Sequence, residues 1–267
     1  MDNKVWERIS QARLTVDRTD VLLELDLSEV EQYYHRLSRT LIELARGRKR
    51  FLAAVAGPPG SGKTAFTAIL VAVINAEVDQ QEATMVQLDG WHYSNDYLST
   101  HTLQRDGVEV LLRQIKGAPE TYDIASAFKC FEKIKAGGKV CYPVYSRQIH
   151  DPIPNGGCVE PQHRIVIVEG NYLLLQEEPW RHFRELFDTC IFLTAPPEAL
   201  VEGLRQRHLR GGKSAAAAEE HILAVDLPNM NRVLKNSGRA NIVVKKADSQ
   251  HITSLEYLPS LDRQHQL

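Results

Sequence analysis

The sequence predicts an α/β fold with a mainly parallel five-stranded sheet flanked by helices, and three observations lead there. Five short apolar runs without polar alternation, at 51–56, 85–88, 164–168, 190–193 and 242–244, suit strands buried on both faces. Helical segments such as 64–76 and 198–210 lie between them, which is the alternation of a parallel sheet. A glycine-rich loop joins the first run directly to a helical segment.

Residues 1–25 read as a weakly helical N-terminal extension. A stronger helix follows over 27–47, where Val30, Tyr34, Leu37, Leu41 and Leu44 recur at helical spacing. Ser28 is placed to cap it, with Glu31 three residues on, and Gly47 marks its end. The main domain is expected over 26–250, and 251–267 is expected as a loosely ordered tail. A chain of 267 residues fits one large domain with modest extensions.

Composition narrows the function. With 43% apolar and 25% charged residues the chain can bury a core, and its net charge of -2 supplies no field to hold a nucleic-acid backbone. The basic run Arg46 to Arg50 falls where a helix ends, a place that favours cations. Cys130, Cys141, Cys158 and Cys190 show no zinc-ligand or redox spacing and are expected as reduced structural thiols. The first thirty residues hold charges throughout, and no stretch reaches the roughly 18 apolar residues of a membrane span, so a cytoplasmic protein without a membrane partner is expected.

The loop Gly57-Pro58-Pro59-Gly60-Ser61-Gly62-Lys63-Thr64 is a full GxxxxGK[ST] match in the order strand, loop, helix, and it predicts a P-loop NTPase fold. Glycines let the backbone curl so that its amides and the helix N-terminus face an anion. Lys63 can reach the terminal phosphates of ATP, and the Thr64 hydroxyl can hold Mg2+. Pro58 and Pro59 lack N–H donors, so the cradle is expected from Gly60 onward.

Such a loop serves switches, motors and kinases alike, so the other strand ends must discriminate. Ligands of open α/β sheets bind outside the carboxyl ends of strands. Asp89 closes the second run and can accept the proton of an acceptor hydroxyl; Glu169 closes the third and can hold a magnesium-bound water.

Around these residues the chain resembles the uridine kinase, phosphoribulokinase and bacterial pantothenate kinase superfamily, most nearly its nucleoside/nucleotide or fructose-transport-system kinase-like branch. The matching segments are GPPGSGKT, QLDGWHYSND around Asp89, KGAPETYD (116–123), PVYSRQIHDPIP (143–154) and IVIVEGNYLL (165–174), in the family's order. The resemblance implies Asp89 as catalytic base, Lys63 at the transferred phosphoryl, and Thr64 with Glu169 at magnesium. It implies Tyr145 and Arg147 at the acceptor. The pantothenate kinases carry histidine where Arg147 stands, which argues against pantothenate and suits an anionic acceptor. Trp91, His92, Tyr93 and Tyr122 are expected in the acceptor pocket. Arg205, Arg207 and Arg210, before Gly211 and Gly212, resemble a helical lid, with Arg205 the first choice for catalysis and Arg210 for ATP. Asp226 to Asn229 (DLPN) also resembles the sugar-kinase branch, without an assignable role.

The expected activity is therefore ATP- and Mg2+-dependent phosphoryl transfer to a small-molecule hydroxyl, with a homodimer compatible. A sugar or polyol ranks ahead of a nucleoside, and that ahead of pantothenate. The alternatives are a nucleotide-hydrolysing switch or assembly factor and a binding protein that has lost chemistry. Lys245-Lys246-Ala247-Asp248 lacks the asparagine of a guanine reader, which weighs against a GTPase. Lys63, Thr64, Asp89 and Glu169 together weigh against lost chemistry.

Overall fold

The computed structural model describes residues 3–11, 26–105, 107–236 and 240–259. Among them the strands are β1 (Phe51–Ala56), β2 (Ala83–Gln87), β3 (Thr102–Arg105), β4 (Val108–Leu111), β5 (Val140–Ser146), β6 (Asp151–Val159), β7 (Ile165–Gly170), β8 (Thr189–Thr194), β9 (Ile242–Lys246) and β10 (Ile252–Tyr257). The helices are α1 (Asn3–Gln11), α2 (residues 27–44), α3 (Lys63–Val78), α4 (Asn95–Thr100), α5 (Ile124–Ala136), α6 (Phe183–Leu186), α7 (Pro197–Arg210) and α8 (residues 215–235).

The central sheet runs β10-β9-β8-β1-β7-β2, parallel except for β10 against β9. All six residues of β1 are buried, and their alternation sends apolar groups to both faces. Phe51, Ala53 and Val55 meet Tyr34, Leu37 and Leu41 of α2 and Phe66, Leu70 and Val73 of α3. Leu52, Ala54 and Ala56 meet Phe131 and Ile134 of α5 with Tyr172, Trp180 and Phe183. Each fully buried Leu or Phe contributes roughly 1.5–3 kcal/mol. β1 is thus gripped from two sides, which holds its carboxyl end still at the edge of the sheet where the chemistry is expected.

All five sequence-predicted strands form, yet the sheet has a sixth. Residues 252–257, expected within the loosely held tail, instead form β10, with Ile252 buried and its amide donating to the Glu29 carboxylate. The segment gives no strand signal because it is a half-buried edge strand, in which Thr253, Ser254 and Glu256 interrupt the apolar run. Positions 260–267 of the expected tail lie outside the described residues.

Of the expected N-terminal extension, residues 3–11 form α1, which buries Ile9 against α3 and donates from Arg8 to the Ala76 carbonyl at 3.1 Å. Positions 1–2 and 12–25 lie outside the described residues. The N-cap of α2 is Asp26, whose Oδ1 accepts from the Ser28 amide at 2.7 Å, so the cap falls two residues before the expected Ser28.

Two hairpins stand beside the sheet, β3 with β4 and β5 with β6, in addition to the elements that the sequence predicts. The second corrects the cysteine reading: its antiparallel register sets Cys141 opposite Cys158, and the two are joined in a disulfide. A separation of 17 residues carries no motif, so only the strand register could disclose the pair. Cys130 and Cys190 remain free.

Candidate active site

At the end of β1 the chain enters the loop 57–62, and α3 starts at Lys63. Gly62 occupies the N-cap with φ 75° and no capping side chain, which leaves the first amides of α3 open toward an anion. A Cβ at Gly62 would stand 2.0 Å from the Ser249 carbonyl oxygen, so only glycine fits beneath the loop. Ser61 is fully buried and its hydroxyl has no hydrogen-bond partner among the described residues. An orphaned donor inside a ring of amides fits a bound phosphate chain.

Lys63 is buried and donates from Nζ to the Pro58 carbonyl at 3.0 Å. Burial lowers its pKa to about 8, against the opposing pull of Glu169 and Asp89, while the charge of Arg207 lowers it further. The Thr64 hydroxyl donates to Glu169 Oε1 at 2.7 Å, and the Gln87 amide donates to the same oxygen at 3.3 Å. Strand register explains the convergence, since Glu169 of β7 lies level with Val55 of β1 and Gln87 of β2. A hydroxyl and a carboxylate in contact beside the phosphate cradle are a donor set suited to Mg2+, so these residues fit the expected cofactor.

Asp89 follows β2 in a short turn, Leu88–Trp91, with its carboxylate 39% exposed. Gly90 lets β5 close over that turn, because a Cβ there would lie 1.9 Å from the Pro143 carbonyl oxygen. Burial acts to raise the Asp89 pKa, but the neighbouring His92, Arg147 and Lys63, with a hydrogen bond from the Tyr122 hydroxyl at 3.2 Å, hold it below the ordinary carboxylate value. His92 Nε2 lies 4.0 Å from Asp89 Oδ1, and its ring stacks on Tyr122 at 3.9 Å and tilts toward Tyr145 at 5.5 Å. Lys116, which donates to Asn95 Oδ1 and the His150 carbonyl, sits over the Tyr145 ring at 5.2 Å.

His92, Tyr122, Tyr145 and Arg147 thus gather around Asp89 as expected for an acceptor wall. Trp91 does not join them. It is 4% exposed, meets Phe131 edge-on at 5.0 Å and stacks on Tyr142, because the turn that presents Asp89 sends the next side chain into the core. Tyr93 is directed to another stack, with Tyr97 at 4.2 Å and His101 beyond it.

The arginines of α7 also sort differently from the expectation. Arg205 is engaged by Glu202 and Glu219, and Arg210 is exposed at the helix end. The arginine whose charge reaches Lys63 is Arg207, which donates to Asp226 Oδ1 at 3.2 Å.

Gln87 and Lys246 also join the site, although no sequence motif marks them. Lys246 ends β9, is 3% exposed, and donates to the carbonyls of Ser61 at 3.2 Å and Ser249 at 2.7 Å, tying the phosphate loop to the last turn of the sheet. Its signal was available in its place at the carboxyl end of the last parallel strand. Among the described residues no helix is long and apolar enough to cross a membrane.

Comparison with known proteins places the chain among P-loop kinases. The model of the phosphoribulokinase / uridine kinase family matches residues 52–252. The chain is 31% identical over 245 residues to the uncharacterised protein YggC of Escherichia coli K12, covering 90% of this chain and 98% of YggC. It is 28% identical over 211 residues to a pantothenate kinase of Serratia proteamaculans, covering 70% of this chain and 64% of that one. A solved Silicibacter structure, provisionally described as a fructose transport system kinase, superposes with a TM-score of 0.68 at 31% identity over 77% of this chain and 95% of its own. With a P-loop kinase fold and this match over most of its length, the chain belongs to the phosphoribulokinase / uridine kinase family.

Proposed function

We propose that the protein transfers the γ-phosphoryl group of ATP to a hydroxyl of a small metabolite, a sugar or polyol ahead of a nucleoside, and that it works in the cytoplasm. The observation that carries this reading is the meeting of three strand ends: Thr64 beyond β1 bonds Glu169 of β7, and Glu169 bonds Gln87 of β2, two residues before the candidate base Asp89.

Bound ATP with magnesium would supply the phosphoryl group and screen its charge. Lys63 and the loop amides hold the phosphates, with Thr64 and Glu169 as the residues that would hold the metal. Asp89 accepts the proton of the acceptor hydroxyl as that oxygen bonds to the γ-phosphorus and the bond to the β-phosphate oxygen breaks, leaving ADP and a phosphate ester. The low pKa of Asp89 keeps it ionised and ready at neutral pH, while Tyr122 fixes its orientation. Arg207 offsets charge that builds on the transferred group, in the role the sequence had offered first to Arg205. Arg147, exposed beside Asp89, contacts the acceptor and favours one bearing a carboxylate or phosphate.

The test is incubation with ATP, Mg2+ and a panel of sugars, sugar acids, polyols and nucleosides, with products weighed by mass spectrometry. A phosphorylated acceptor supports the proposal. Release of ADP and phosphate at an unchanged rate with every acceptor would favour the hydrolytic switch instead.

A further inference from the structure

The segment from the end of α7 into α8 contains a buried polar cluster that the account above uses only in part. Asp226 is 6% exposed, and both carboxylate oxygens are engaged: Oδ1 accepts from Arg207, and Oδ2 pairs with His208 Nε2 at 2.6 Å. His221 meets the His208 ring edge-on at 4.8 Å. Asp226 closes a π turn, Ile222–Asp226, an irregularity that inserts a residue into a helix and is frequent at functional sites. Proline at the next turn lets the helix resume.

His208, His221 and Asp226 place ligand atoms within 4.8 Å of one another, which a transition metal could span. Two facts favour a different use. Both Asp226 oxygens already accept hydrogen bonds, and burial lowers the pKa of both imidazoles, an effect to which the nearby cations Arg207 and Lys213 add. The cluster is therefore suited to holding an arginine in place.

We propose that Asp226 is a positioning residue that aims Arg207 at the phosphate loop, with His208 fixing the carboxylate through its second oxygen. A long arginine side chain loses conformational freedom when fixed, and a buried partner that fixes it beforehand removes that cost from the reaction. Arg207 bonds Asp226 on one side, and one turn earlier its helix packs on the phosphate loop, where a Cβ on Gly203 would stand 2.7 Å from the Gly60 carbonyl oxygen, so the carboxylate links α8 to that loop. This gives the DLPN segment a role, and it rests on the assignment of Arg207 to the transferred phosphoryl.

The experiment compares the affinities of the full chain for ADP and for the β,γ-imido analogue of ATP, both with Mg2+, in wild type, R207A, D226N, D226E and the double variant R207A/D226N. The ratio of the two affinities reads the contact to the γ-phosphoryl and needs no acceptor. The expectation is a wild-type preference for the analogue that falls roughly 30-fold in R207A and about tenfold in D226N, the scale of charge-assisted hydrogen bonds. D226E should recover part of the preference. Adding D226N to R207A should change nothing further, because the two act as one unit. A purely structural Asp226 would lower both affinities together and in both backgrounds, which overturns the inference.

A wild-type ratio in R207A removes the Arg207 assignment and the inference with it. A reduced ratio in R207A beside a wild-type ratio in D226N removes the inference alone. Zinc binding to the full chain that H221A abolishes also overturns it, since a metal on Asp226 would expel Arg207.

Discussion

The phosphate loop and the proposed acceptor wall are built on opposite terms. The loop is one contiguous stretch between β1 and α3, buried, and supported from below by Lys246 and the Ser249 carbonyl. The wall is gathered from separate segments, with Asp89 and His92 after β2, Tyr122 before α5, and Tyr145 and Arg147 on or beside the β5–β6 hairpin. It carries a partly open carboxylate and an exposed arginine. The difference matches two tasks. Every enzyme of this kind meets the same triphosphate, whereas the acceptor wall must suit a particular alcohol, and loops on a rigid scaffold vary at little cost to the core.

Damage at the loop should therefore stop transfer whatever the acceptor, and damage at the wall should alter acceptor preference. The largest effect is expected from Lys63→Ala, which should lower kcat by roughly 10³-fold or more, measured by ADP release with a saturating acceptor. Gly62→Ala comes next. Its Cβ would meet the Ser249 carbonyl at a residue held in the left-handed region, and a loss of about 1–3 kcal/mol of stability is expected in chemical denaturation, with weaker nucleotide binding. Arg147→Ala should raise acceptor KM by about tenfold with kcat and ATP affinity little changed, and an unchanged acceptor KM would remove Arg147 from the wall.

The smallest effect is a dependence on pH. Lys246 is buried and its pKa is lowered to about 8, below the 10.5 of the unfolded chain. Between these values the unfolded state binds more protons, so the contribution of Lys246 to stability rises with pH through that window and is level below it, where both states are protonated. Lys246→Met should lose this rise, seen as a flatter dependence of denaturation midpoint on pH from 8 to 10. Equal slopes in the two proteins would place the Lys246 pKa elsewhere.

The same contrast explains what was legible in the sequence. The phosphate loop could be read because its chemistry depends on residues adjacent in the chain. Buried parallel strands advertise themselves as unbroken apolar runs, and Asp89 and Glu169 could be found at their ends. The edge strand β10 could not, because half of its residues face solvent. Side-chain direction was equally hidden. Trp91 stands two residues from Asp89 and yet enters the core, and Arg205 stands two residues from Arg207 and yet turns to Glu219. On a helix a step of two residues changes the face, and no periodicity in the sequence says which face meets the loop. The Cys141–Cys158 pair depends on hairpin register in the same way.

The most direct measurement is a comparison of Asp89→Asn with wild type, taking the dissociation constant of MgATP by calorimetry and the single-turnover rate of transfer to the best acceptor. The variant should bind MgATP within about twofold of wild type and transfer phosphoryl roughly 10²-fold more slowly, the scale of a lost general base. A wild-type transfer rate would contradict the placement of Asp89 at the acceptor hydroxyl and, with it, the joining of the two regions into one catalytic site.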